Sequence, residues 1–459
     1  MRDETIPQTV LFQDLFKTPL VATFDQPHAS SDGGAILLKA AEARYGLIDG
    51  FLRCLVDDRQ PGKVRHTLAE LLAQRLYGIA CGHPDANDAD RLADDPIHKL
   101  LLGRDPFDGD SLASQPTISR FENQVGWSEL HAMGRALGTC VIHRHQQRLH
   151  GRARRITIDL DPTEDPTHGA QQLTFFNGHY DAWCYLPLLA FLTFNDEVEQ
   201  YLCAALLRPG NAPATQGAIG TLDRLLARLR SAFPRARFLV RLDGGFATPA
   251  LFEFLDAEPG LDYVVAMGEN AVLTRCAESA MVVARAQSEA SGQTEHVYTE
   301  TRYAAGTWTP ARRVLIKAEV VRLPGRDPRD NARFVVTNLR QTPRFVYARV
   351  YCARGDIENR IKELHHGLQI GRTSCSRFWA NQLRVLLTAA AYVLMQELRL
   401  RAARTACARA QVTTLRQRLL TLGVQVVRSV RRIVLHLPTS TPFVDAWGHI
   451  ARALGARTG

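Results

Sequence analysis

The stretch from Tyr351 to His365 carries the side chains best suited to chemistry on phosphate. Read as a helix at about 100° per residue, it puts Tyr351, Arg354, Glu358, Lys362 and His365 in one stripe about 80° wide, beside a stripe of Val350, Ile357, Ile361, Leu364 and Leu368. The apolar stripe predicts a seam packed on a core. The polar one sets a carboxylate among bases and an aromatic ring. Two more acids stand where strands should end. Asp161 closes an alternating run and opens Asp161-Pro162-Thr163, and Asp243 is followed by Gly244-Gly245, which lets the backbone turn sharply into a helix. Carboxylates at the ends of neighbouring strands, joined by one from a helix packed on the sheet, can converge. Such an oxygen set suits Mg²⁺, a hard ion that keeps its waters, with Mn²⁺ as a substitute. Two such ions about 3.5–4 Å apart would stabilise the attacking and leaving oxygens of a phosphodiester. Asp159 lies two residues before Asp161 and so shares its strand face. Either acid satisfies the pattern of a first ligand; Asp161 is preferred for its place at the strand end, with Asp159 as a supporting partner.

The elements that must hold these acids follow from the hydrophobic period. Ile156, Ile158 and Leu160 alternate with Thr157, Asp159 and Asp161, a strand signature; Tyr185–Phe194 and Glu199–Leu207 follow as further strands, joined through Asn195-Asp196. Thr215–Ser231 reads as an amphipathic helix, Arg237–Leu242 as a strand, Pro249–Leu255 as a helix start and Asp262–Met267 as a strand. The order strand-strand-strand-helix-strand-helix-strand is that of a ribonuclease-H-like α/β core with a mixed sheet. From about 275 to 332 the helical period fades, and His296–Tyr303 and Arg313–Arg322 read as strands of a β-rich insert before Arg333–Asn338 returns to the core. Trp308 in this insert is expected to pack structurally or to stack on a flipped base. Residues 35–150 show helical spacing. Within them the Asp-rich stretch 82–96 lacks the Gly and Glu of an EF-hand loop and is expected to be turns with helix caps. Ser114–Asn123 reads as a cap and short helix whose polar face, with Thr117, Arg120 and Asn123, suits either DNA contact or ordinary packing. The division expected is a helical domain over 1–150, a catalytic domain over 151–400 interrupted by an insert at 276–332, and a basic helical tail over 401–459.

Composition narrows the partners. The 459 residues carry 56 Lys+Arg against 47 Asp+Glu, a net charge of +9, and most of the bases are arginine, which forks onto phosphate. Nucleic acid is the polyanion this balance favours. The nine cysteines form no C-x-x-C pair or Cys/His cluster, which argues against structural zinc and disulfides and fits a cytoplasmic protein. Asp3 and Glu4 stand where a secretion signal would be basic and then apolar. The longest apolar run, Leu383–Leu398, is interrupted by Arg384, Gln396 and Glu397 and reads as a buried core helix, so no membrane partner is expected.

Taken together, Asp161, Asp243 and the Tyr351–Arg354–Glu358 helix resemble the bacterial insertion-sequence transposases of the DDE class, those with a β-rich insert before the glutamate helix. That group's signature is Tyr, two residues, Arg, three residues, Glu, six residues, Lys; here His365 takes the last position, with Lys362 one turn earlier. Ser30-Ser31-Asp32-Gly33-Gly34, the Asp85–Pro96 stretch and Ala113–Asn123 resemble the amino-terminal domain of one subgroup. Asp243-Gly244-Gly245-Phe246-Ala247 and Ala380-Asn381-Gln382 resemble its catalytic domain. The resemblance implies Mg²⁺ held by Asp161, Asp243 and Glu358, cleavage at transposon ends and transfer of the freed 3′-OH to target DNA. It also implies DNA contacts from Tyr351, Arg354, Lys362, His365 and Arg120, recognition of terminal inverted repeats by the first 150 residues, an active homodimer, and association with the nucleoid when bound. A catalytically silent relative acting as a repressor would be expected to have lost a carboxylate. A ribonuclease-H-like nuclease without strand transfer would not need the insert.

Overall fold

The computed structural model describes residues 9–12 and 17–457; Asp3 and Glu4 lie outside the described residues. Helical spacing in the first third becomes α1 (Ile36–Tyr45), α2 (Leu68–Cys81), α3 (Gln115–Gln124) and α4 (Trp127–Leu149). Thr67 and Glu70 close a reciprocal capping box at the start of α2, satisfying backbone donors that the helix leaves orphaned. The Asp-rich stretch resolves into caps, as expected: Asp85 accepts from the Asn87 amide, and Asp95 from those of Ile97 and His98. Gly34 explains part of the Ser30–Gly34 motif, because a Cβ there would lie 1.7 Å from the Leu419 carbonyl oxygen. Only glycine lets this segment approach the C-terminal one so closely.

Glu42 of α1 is buried, with one oxygen accepting from the Ile48 amide at 2.7 Å and the other unpartnered. Burial pushes its carboxyl up to about 7. A carboxyl whose pKa rises on folding stabilises the protein fully only below its unfolded pKa, near 4.3, and the contribution is lost as pH climbs to about 7. Glu42→Gln keeps the acceptor for Ile48 and removes the titration. The variant should match the parent in thermal melts near pH 4 and exceed it by up to about 3 kcal/mol above pH 7; equal gains at both pH values would refute this.

The chain then builds an eight-stranded mixed sheet: β1 (Arg155–Pro162), β2 (Leu188–Phe194), β3 (Tyr201–Leu206), β4 (Arg237–Leu242), β5 (Leu261–Met267), β6 (Glu295–Tyr303), β7 (Arg312–Val321) and β8 (Arg329–Thr337). Their spatial order is β6-β7-β8-β5-β4-β1-β2-β3. β1, β4 and β5 run parallel, β2 and β3 add antiparallel at one edge, and β8, β7 and β6 add antiparallel at the other. Helices α5 (Ala218–Ala232) and α6 (Pro249–Ala257) make the crossovers between the parallel strands. The expected element order from Arg155 to Met267 is therefore present. Pro187 divides the expected strand at Tyr185, so that Ala182–Tyr185 belongs instead to a small three-stranded sheet.

Three expectations need correction. Helical structure does not fade at 275: α7 (Ala271–Ser291) spans 21 residues, and its buried face is Leu273, Ala277, Ala280, Met281, Ala284 and Ser288. A stripe built mostly of alanine and serine carries too little hydrophobic contrast to stand out. The strands after it do not form a separate layer; they extend the main sheet through β8, which pairs with β5. Of the two readings of Trp308 the structural one holds and needs no correction: it is only 8% exposed, packs edge-on against Phe252 and Tyr303 and lies under Arg312. The tail, expected to be helical, contains a hairpin of Val424–Arg428 and Ile433–His436, with the first strand paired to Ala29–Ser30. Its β-branched alternation was masked by the arginines around it.

The apolar run at 383–398 lies in α8 (Phe378–Arg401), which is buried along most of its length, and no helix among the described residues is long and apolar enough to cross a membrane. α8 packs on α1, α2, α3, α4 and β3, so the first 150 residues and the sheet share one hydrophobic core. At its centre Glu122 of α3 is fully buried between Arg75 of α2 (2.8 Å) and Arg384 of α8 (2.9 Å). The cysteines are all free thiols.

Candidate active site

β1 and β4 pair in parallel with Asp159 opposite Arg241. Continuing that register by two residues sets Asp161 opposite Asp243 on the same face. The inner layer is neutral: Asp159 has no exposure, and Arg241 binds both its oxygens at 2.7 Å, with Gln200 at 3.4 Å. Arg241 also donates to the Val350 carbonyl at 3.0 Å, tying the sheet to the signature helix. The outer layer is two acids with no base from the sheet between them. Both oxygens of Asp159 are therefore taken within the sheet, whereas Asp161 is met from outside the sheet. Asp243 keeps its own backbone turn by accepting from the Gly245 amide at 2.9 Å, the turn that Gly244-Gly245 foreshadowed.

The signature helix crosses this pair as an irregular run. Pro343–Phe345 starts it, Val346–Tyr351 is π-helical, Cys352–Gly355 is a 3₁₀ turn, Asp356–Lys362 is α-helical and Glu363–Gly367 is π-helical again. The seam packs as expected, with Ile357, Leu364 and Leu368 fully buried. Insertion of π turns is a recurrent device for re-aiming side chains at functional sites. The second one is anchored by Glu363, which receives Arg399 on both oxygens and the Tyr392 hydroxyl at 2.7 Å.

Arg354 Nη2 lies 2.6 Å from Asp161 Oδ1 and 3.4 Å from Asp243 Oδ2. Burial opposes its charge, but the two carboxylates outweigh that and hold it above the usual range. Burial is also the main influence on Asp161, raising it to about 7; Arg354 opposes the rise and Asp243 reinforces it. Two carboxyl groups held this close, one driven towards neutrality, form an all-oxygen donor set that fits a hard divalent cation. Glu358 follows Arg354 by four residues on the same run, is exposed, and makes no hydrogen bond or ion pair among the described residues. Its carboxylate does not close into a three-ligand set with Asp161 and Asp243: among the described residues the ligand atoms of these three do not all lie within 4.8 Å of one another.

The remaining expected residues divide. Tyr351 is half-buried against Tyr347, ring centroids 5.5 Å apart, and burial raises its hydroxyl. Lys362 is exposed. His365, in the signature's lysine position, bonds the Thr163 hydroxyl through Nε2 at 2.9 Å, and burial pushes its ring below the ordinary imidazole value. It braces the turn that follows Asp161. Arg120 lies on the outer face of α3 in a groove of about 460 Å³ shared with Arg59, Lys63, Arg65, His66 and Thr117. Two residues escaped the sequence reading. Arg208, 1% exposed, donates to the carbonyls of Leu186, Pro213, Ala214 and Gln216 and so fixes the loop after β3. Tyr180 has its hydroxyl raised by burial and then by Asp161, Glu164 and Asp243. Neither sits in a local motif, so only tertiary contact reveals them.

Residues 12–457 match the family model described as Transposase DDE domain group 1. No curated protein matches. Seven chains of solved structures match, among them a cryo-EM structure of the piggyBac transposase synaptic complex with hairpin DNA, at 10% identity and a TM-score of 0.42 over 78% of this chain and 70% of that one. With the family model spanning nearly the whole chain, including both strand-end acids and the signature helix, this protein belongs to the DDE transposase family.

Proposed function

We propose that the protein is the transposase of an insertion sequence, cutting DNA at the element's ends and joining the freed 3′-OH to target DNA. The observation that carries this reading is the meeting of Asp161, near the end of β1, and Asp243, directly after β4, on one guanidinium, that of Arg354 in the signature helix. Strand order β3-β2-β1-β4-β5, with only β2 antiparallel to its parallel neighbours among the central strands, supports a ribonuclease-H-like core. Asp161, Asp243 and Glu358 would hold Mg²⁺, which supplies Lewis-acid stabilisation of the entering and leaving oxygens.

In the first step water attacks the scissile phosphorus, the bond from phosphorus to the 3′-oxygen of the element breaks, and that oxygen leaves as the 3′-OH. In the second, this 3′-OH attacks a target phosphodiester and expels the target's own 3′-oxygen. Arg354, once released from the acids, is suited to grip a phosphate near the scissile bond, with Lys362 on the exposed side. His365 acts indirectly, holding Thr163 and hence the Asp161 turn. The basic groove around Arg120 would bind the terminal repeats, and the arginines of residues 401–459 would add sequence-independent affinity. A homodimer in the cytoplasm, nucleoid-associated when engaged, and a hairpin route of excision belong to this reading as well.

The test is incubation of the purified protein with DNA carrying the inverted repeats that flank its gene. Mg²⁺ or Mn²⁺ should yield nicks with 3′-OH at the repeat boundary, and EDTA should abolish them. End binding should weaken about 10³-fold or more between 50 and 200 mM salt if six or more phosphates are contacted. Cleavage insensitive to chelation, or binding indifferent to salt, would refute the proposal.

A further inference from the structure

A second set of metal-ligating side chains lies outside the Asp161–Asp243–Arg354 cluster. Asp32 precedes the tight turn at Gly33, His83 follows the end of α2, and His98 lies on the short helix Pro96–Leu101. Both imidazoles aim Nε2 at the same carboxylate oxygen, Asp32 Oδ2, at 3.2 Å from His83 and 2.9 Å from His98. The three ligand atoms lie within 4.8 Å of one another. His98 has no exposure and Asp32 only 4%, while the His83 side chain is 29% exposed.

We propose that Asp32, His83 and His98 form a zinc site. Ligands about 2.0–2.1 Å from a tetrahedral Zn²⁺ stand about 3.3 Å apart, close to the two separations seen here. Two imidazoles and one carboxylate suit a late first-row metal, whereas Mg²⁺ and Ca²⁺ take oxygen sets. Three protein ligands leave one position of the tetrahedron for water, reached on the side where His83 is exposed. In a hydrogen-bonded cluster alone, the Nε2 atoms of both imidazoles would share the single oxygen Asp32 Oδ2. A cation gives both nitrogens and the carboxylate one common partner and offsets the burial of the acid.

The site would act as a staple. Asp32 bridges to Leu422, so a bound ion would tie the N-terminal segment, the end of α2 and the C-terminal segment together. This is independent of the DNA chemistry proposed above, and the experiment keeps the two apart. Full-length protein carrying Asp161→Asn and Asp243→Asn is stripped with a chelator and titrated with Zn²⁺, Co²⁺ and Mg²⁺. One equivalent of Zn²⁺ should bind against millimolar Mg²⁺, raise the melting temperature and exchange for Co²⁺ with the visible absorption of a tetrahedral centre. His83→Gln, at the exposed and tolerant position, and Asp32→Asn should each weaken Zn²⁺ by more than about 100-fold, since changes one shell further out already cost about 10–100-fold. Their circular dichroism should match that of the stripped parent. Absence of stoichiometric Zn²⁺, or Zn²⁺ affinity and melting shift unchanged in both variants, would overturn the assignment.

Discussion

Asp243→Asn is expected to lower metal-dependent cleavage of transposon ends by at least about 10³-fold, the scale seen when one stabilising group is removed from a pre-organised site. The substitution is local. Asparagine keeps a side-chain oxygen for the Gly245 amide, so the turn after β4 survives. What disappears is one of two negative charges at the paired strand ends. Glu358→Gln should fall as far without unfolding, because Glu358 is exposed and supports no contact among the described residues. Asp159→Asn should behave differently. It strips Arg241 of its partner inside the sheet, and the expected loss appears first in the melting temperature. Gel assays of end cleavage beside thermal melts separate these outcomes. Wild-type rates from either Asp243→Asn or Glu358→Gln would remove that residue from the site.

The second large effect concerns stability. Glu122→Ala leaves two buried guanidinium groups, those of Arg75 and Arg384, facing each other without the carboxylate that joins them. Breaking a buried ionic cluster from one side costs about 3–5 kcal/mol, a large share of the about 5–15 kcal/mol that holds a typical protein together. The variant is expected to be largely insoluble or to melt many degrees lower. Replacing all three residues by apolar ones of similar volume should recover much of the loss, since burying the charges was costly from the start. Denaturant titrations of the single and triple variants decide it: a single variant within about 1 kcal/mol of the parent would show that the cluster adds nothing.

The sequence revealed the acids more readily than their surroundings. Asp161 and Asp243 end strands with clear alternation, and the seam of Ile357, Leu364 and Leu368 has a helical period, so each could be read locally. That Asp159 is neutralised by Arg241 depends on the parallel register of two strands 82 residues apart, which no local pattern encodes. The second π turn begins at Glu363, whose grip by Arg399 is a tertiary contact 36 residues apart. The alanine face of α7 was lost for want of contrast, and the tail hairpin was hidden by charge. Asp32, His83 and His98 share no spacing motif, so only folding brings their side chains together.

The burial of α8 also bears on how the chain reaches this state. Helices made within the first 150 residues complete their core only against residues 378–401, so a large part of the native contacts is long in sequence separation and slow to form. During synthesis at about 5–20 residues per second, the apolar faces of α1 to α4 wait on the order of tens of seconds for that helix to emerge. The nascent chain is therefore expected to expose these faces until α8 has been made, and a fragment ending before α8 should aggregate rather than persist as a folded unit.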